Sequence, residues 1–98
     1  MPARESSVIA AIRREAKKHQ PRLVLRKKHG TAFGYAADPD LYGVYEGRCW
    51  VFEGKREGEK PSALQFVRLQ EWAAAGALAG WGGLRQFREM LGLDRTDR

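Results

Sequence analysis

Two apolar runs, Leu41–Tyr45 and Cys49–Phe52, are separated only by Glu46-Gly47-Arg48. A connection this short forces the second run back along the first, and their aromatic and β-branched content suits strands. An antiparallel hairpin fixes what meets at its open end. Asp40 follows Pro39 and opens the first strand, while Glu53-Gly54-Lys55 closes the second. Strand side chains alternate faces, so Glu53 and Lys55 project together and Gly54 faces away. Two carboxylates and a lysine then converge at one sheet edge. That grouping is costly unless a cation offsets it, and a divalent metal is the cation of suitable size and charge.

The chain has 98 residues, enough for one domain with a modest core. A hydrophobic fraction of 43% and three tryptophans exclude a disordered chain. The single cysteine, Cys49, cannot close an internal disulfide, and its place in an apolar run predicts a buried structural thiol. No stretch has the apolar length of a signal peptide core or a membrane span, so a soluble, cytoplasmic protein is expected. The net charge of +6 is uneven: residues 1–30 hold nine Lys or Arg against two Glu, and the rest hold nine against ten acids. A basic front end is the footprint of a phosphate-backbone binder, although a solvated surface also accounts for it.

Pro2 to His19 reads as a helix with Val8, Ile9, Ile12 and Ala16 on one stripe. Glu5 shares the face of Val8 and Ile9, though the helix dipole alone also favours an acid in the first turn. Gln20-Pro21 ends the helix, and Leu23–Lys27 is a strand followed by a turn at Lys28-His29-Gly30. Residues 31–38 lack a period and read as a loop crossing the face of the site. Pro61-Ser62 opens a second helix in which Ser62 and Gln65 match a capping box, with Leu64, Val67, Leu69, Trp72 and Ala73–Ala75 as its apolar side and Gly76 as its end. Ala77–Trp81 reads as a buried strand, and Leu84–Leu91 as a closing helix with Phe87 and Leu91 four apart. The order α-β-β-β-α-β-α predicts an α/β fold, a mixed sheet flanked by helices.

Asp followed by Glu-x-Lys on the neighbouring strand suits metal-assisted phosphodiester hydrolysis. Carboxylate oxygens, with the Gly54 carbonyl as a further donor, favour Mg²⁺ or Mn²⁺, and a nearby lysine orients water and offsets negative charge. Those three residues alone also fit a surface ion-pair cluster.

The longer pattern narrows this. Pro39-Asp40-Leu41-Tyr42-Gly43, Gly47-Arg48 leading into Val51-Phe52-Glu53-Gly54-Lys55, Lys60-Pro61-Ser62-Ala63-Leu64-Gln65 and Ala74-Ala75-Gly76-Ala77 together resemble the VRR-NUC domain, a branch of the PD-(D/E)XK nuclease superfamily. With Glu5 in the first helix, the likeness covers nearly the whole chain. It implies a restriction-endonuclease-like core and a metal-dependent nuclease. By position it implies Asp40 and Glu53 as metal ligands, Lys55 as the catalytic lysine, Glu5 as a first-helix glutamate near the metal, and Gln65 as support for the lysine or the DNA. Two positions depart from the family pattern: Gly54 stands where a bulky apolar residue is usual, and Asp38, a turn residue or a spare ligand, stands where an apolar one is common. Relatives of this length resemble phage-borne enzymes that cut branched DNA, four-way (Holliday) junctions included, as homodimers.

The leading expectation is therefore a Mg²⁺- or Mn²⁺-dependent endonuclease acting on structured DNA as a homodimer, with no membrane partner. Lys17, Lys18, Arg26, Lys27 and Lys28 would grip the backbone, and His29 is a further phosphate contact or an ordinary surface residue. The alternatives are a nucleic-acid-binding module that does not cut, and an RNA-cutting relative. The residues include no base-reading motif that separates DNA from RNA.

Overall fold

The computed structural model describes residues 5–28 and 35–93. Its elements are α1 (Glu5–Lys17), β1 (Leu23–Lys27), β2 (Leu41–Tyr45), β3 (Arg48–Gly54), α2 (Ala63–Ala74), β4 (Leu78–Gly82) and α3 (Leu84–Leu91). The four strands lie in the order β1-β2-β3-β4. β1 and β3 each pair antiparallel with β2, and β3 pairs parallel with β4 across the α2 crossover. The expected order and mixed sheet are those observed.

The β2–β3 turn is tighter than its three-residue spacing suggested. Tyr45 pairs with Arg48, leaving only Glu46 and Gly47 in the loop, both with positive φ (50° and 85°). Positive φ at both central residues gives a hairpin turn whose twist matches that of the strands, so register is set locally. α2 begins with the capping box: Gln65 N–H donates to Ser62 Oγ, and Gln65 Oε1 accepts from Ser62 N–H.

The core lies on one face of the sheet, under α1 and α3. Ile9, Ile12 and Ala16 of α1 and Phe87 and Leu91 of α3 close over Leu23, Leu41, Tyr45, Trp50 and Phe52. Phe87 meets both Trp50 and Phe52 edge-on, with centroids 5.2 and 5.4 Å apart. Such pairs add to area burial because ring edges are electropositive and faces electronegative. Gly54 belongs to this face. A Cβ built on it would lie 2.6 Å from Ile9 Cδ1, so the missing side chain is where α1 comes down on the sheet.

Several expectations need correction. Cys49 is exposed, not buried. Its neighbour Trp50 faces α1 and α3, so strand alternation turns Cys49 to the opposite face, where among the described residues no helix covers this end of β3. The predicted apolar side of α2 contributes only Leu69 to the interior, and Leu64, Val67 and Trp72 are exposed. β4 runs one residue later than expected and is half-buried, because it is the outermost strand. The first-helix reading before Glu5, the side chain of Glu5, and His29 lie outside the described residues, as do residues 31–34 of the predicted loop.

Candidate functional site

The face opposite the core carries the predicted residues Asp40, Glu53 and Lys55. Leu41 pairs with Phe52 across the hairpin, so Asp40, one residue earlier, comes opposite Glu53, one residue later. The buried ring of Pro39 holds the approach to this corner. Lys55 continues the strand beyond its assigned end, since its N–H donates to Gly82 O at 2.8 Å. Backbone pairing thus fixes all three predicted residues at one corner of the sheet.

Glu53 is 2% exposed. Its Oε2 accepts from Gln65 Nε2 at 3.1 Å and lies 4.0 Å from Lys55 Nζ. Its Oε1 is buried without a partner among the described residues. Burial, then the negative charge of Asp40 beside it, push the Glu53 carboxyl up to about 8, while Lys55 pulls it back. A buried carboxylate with one orphan oxygen and a second carboxylate beside it is under-compensated as the chain stands.

Gln65 serves two sites with one amide. Its oxygen caps α2 through Ser62 N–H, and its nitrogen donates to Glu53. The capping and catalytic readings of this residue are therefore physically compatible: the cap fixes the side chain in the rotamer that reaches the carboxylate.

The rest of the predicted set divides. Arg26 and Lys28 lie on the Asp40 side of β1, and Lys28 Nζ reaches Asp38 at 3.8 Å. Lys17 and Lys27 lie on the other side, lining a shallow cleft with Arg13 and Arg14 of α1. Lys18 leans on Glu15 at 3.6 Å. The basic front end is not one patch. Among the described residues, no three His, Cys, Asp or Glu side chains gather as a metal cage, and Asp40 with Glu53 is the carboxylate set.

The sequence reading missed a clasp beside this corner. Trp72 Nε1 donates to Asp38 Oδ1 at 3.2 Å, Arg68 Nε donates to Ala36 O at 3.0 Å, and the Arg68 guanidinium lies 5.1 Å from the centre of the Tyr35 ring. Asp38 is thus an anchor to α2, two residues before Asp40. The available signal was helical: Gln65, Arg68 and Trp72 share one face of α2. Glu15 and His19 (Nε2 to Oε2, 2.8 Å) also went unremarked. They sit on the core side and hold the end of α1.

No family model matches the chain, and no curated protein matches it. Among solved structures, a chain described as "VRR_NUC domain" superposes with a TM-score of 0.69 at 23% identity, covering 91% of each chain. The protein has the fold of a VRR_NUC domain. This is the fold that the resemblance implied over nearly the whole chain, and the superposition covers 91% of it.

Proposed function

We propose that the protein is a Mg²⁺- or Mn²⁺-dependent endonuclease that hydrolyses phosphodiester bonds in structured or branched DNA, four-way junctions among them. The observation that carries this reading is the Glu53 carboxylate, buried beside Asp40 with one oxygen unpartnered and with Lys55 and Gln65 on the other. Hard oxygen donors of this kind suit Mg²⁺ or Mn²⁺, held by Asp40, Glu53 and the Gly54 carbonyl, with Glu5 as a further ligand from α1. When bound, such a cation supplies an acidified water and charge neutralisation at phosphate.

The chain's own groups do the remaining work. Gln65 holds Glu53 through Oε2 and leaves Oε1 for a further ligand. Lys55, 16% exposed and fixed by the β3–β4 pairing, donates to the attacking water or to the phosphate oxygen that gains charge. The water oxygen bonds to phosphorus, the P–O ester bond breaks, and the departing oxygen takes up a proton. Four-way junctions have two-fold symmetry and need two cuts, which a homodimer of such sites would supply.

The deciding experiment incubates the protein with linear, flap and four-way-junction DNA in Mg²⁺, Mn²⁺ or EDTA, beside Lys55→Ala. Expected are metal-dependent cutting, its loss by at least a hundredfold in Lys55→Ala, and preference for a branched form. Binding without cutting in every metal would leave a non-cleaving module, and cutting of RNA alone would reassign the substrate.

A further inference from the structure

The geometry points to a docking track for an unpaired DNA strand on the exposed surface that runs from α2 onto the uncovered half of the sheet, where bases stack on Tyr35, Tyr42 and Trp72 beside the carboxylate pair. The inference deepens the nuclease reading and takes from it the choice of DNA as ligand.

The uncovered half begins at Asp40. Tyr42 lies two residues along the same strand and on the same face, about 7 Å away, and is 46% exposed. Arg26 pairs with it across β1 and β2, and Val24 and Val44 continue the apolar strip at 41% and 40% exposure. The opposite wall is the Gln65-Arg68-Trp72 face of α2. There Trp72 is 39% exposed and Tyr35, stacked under Arg68, is 68% exposed. The two walls are tied by Asp38, which accepts from Trp72 and pairs with Lys28. Exposed aromatics thus run from Tyr35 and Trp72 past Asp40 to Tyr42, with Arg26 beside the last.

Uncovered aromatic rings in water are unfavourable unless a partner covers them, and this partner must also be anionic. Arg68 pairs with Glu71 and Lys28 with Asp38, whereas Arg26, bonded only to the Leu25 carbonyl, has no carboxylate partner among the described residues and is left to meet a phosphate. A blunt duplex supplies the charge but hides the faces of its bases in its own stack. An unpaired strand supplies both, and base–aromatic stacking with a basic rim is how single strands are held without sequence preference. An apolar protein partner would not use the cations. The track leads to Asp40 and Glu53, so the strand it holds is the one presented for cutting, next to a branch point or flap.

The test measures binding in EDTA, where no cutting occurs. Labelled single-stranded DNA of about 12 nucleotides and a blunt duplex of equal length are titrated by anisotropy. The single strand is expected to bind more tightly. Tyr35→Ala and Tyr42→Ala each weaken it about fivefold or more, Phe at either position restores it, and duplex affinity changes less than twofold. Trp72 emission is quenched by the single strand, and the quench is lost in Trp72→Phe. Unchanged single-strand affinity in both alanine variants, or a preference for the duplex, overturns the track, and tighter binding of single-stranded RNA overturns its assignment to DNA. Should an alanine variant fail to fold, photocrosslinking of 5-iodouracil DNA to the wild-type protein decides. Crosslinks at Tyr35, Tyr42 or Trp72 support the track, and crosslinks confined to Lys17 and its neighbours overturn it. Cutting with unaltered tyrosine variants would sink the track alone. Tyrosine-dependent binding without cutting would sink only the nuclease reading.

Discussion

Glu53 carries a proton that the unfolded chain would have released. Its ordinary value near 4.5 rises to about 8 in the fold, so between those limits the native state binds more protons than the unfolded state. Stability from this group is therefore complete below about 4.5 and is lost as pH rises through 8, at up to about 1.4 kcal/mol per pH unit. In EDTA, urea melts at pH 6 and pH 8.5 should show the wild type losing stability across that window, with Glu53→Gln much flatter. Equal slopes would refute the assignment. Added Mg²⁺ should stabilise the wild type more at pH 8.5 than at pH 6, because the ionised carboxylate is what it binds. Gln65 permits a second separation. Ser62→Ala removes only the cap and should cost about 1 kcal/mol, whereas Gln65→Ala also strips Glu53 Oε2 of its donor and should reduce cutting more than tenfold. Parallel melts and cleavage rates distinguish the two losses.

At the scale of elements, strand period and turn chemistry were legible, and cover was not. The bounds of β1, β2 and α3 follow from the sequence because alternation, a short connection and an i, i+4 aromatic-leucine pair are local signals. The juxtaposition of Asp40 and Glu53 followed from the same hairpin logic. Cys49 failed because alternation says which face a residue takes, never whether a helix lies over it. The clasp of Trp72 on Asp38 failed for a similar reason, joining residues 34 positions apart. Gly54 stands where the family pattern has a bulky apolar residue, yet it is the seat of α1. Gly54→Val should destabilise by about 1–3 kcal/mol through overpacking against Ile9. Ile9→Ala, costly alone, should recover part of that loss in the double variant, so the two effects should be clearly non-additive. Simple additivity in urea melts would mean α1 does not rest on this glycine.

Taken whole, the molecule divides its charge by sheet face rather than by sequence segment. The nine cations of residues 1–30 read as one basic end, but the sheet separates four of them: Arg26 and Lys28 lie on the Asp40 side, and Lys27 lies on the other with Lys17 of α1. A strand lying on the Asp40 face touches the first pair and not the second. Each lost phosphate contact lowers the slope of log affinity against log salt by about 0.7 for a single strand and 0.9 for a duplex. The double variant Arg26→Ala/Lys28→Ala should therefore flatten the salt dependence of DNA binding by one to two. Lys17→Ala/Lys27→Ala should lower affinity modestly at low salt, through long-range attraction, and leave the slope near wild type. Anisotropy titrations across a salt series measure both. If the Lys17/Lys27 variant flattens the slope and the Arg26/Lys28 variant does not, DNA lies against α1, and the carboxylate corner is reached only by a strand wrapped around the sheet edge.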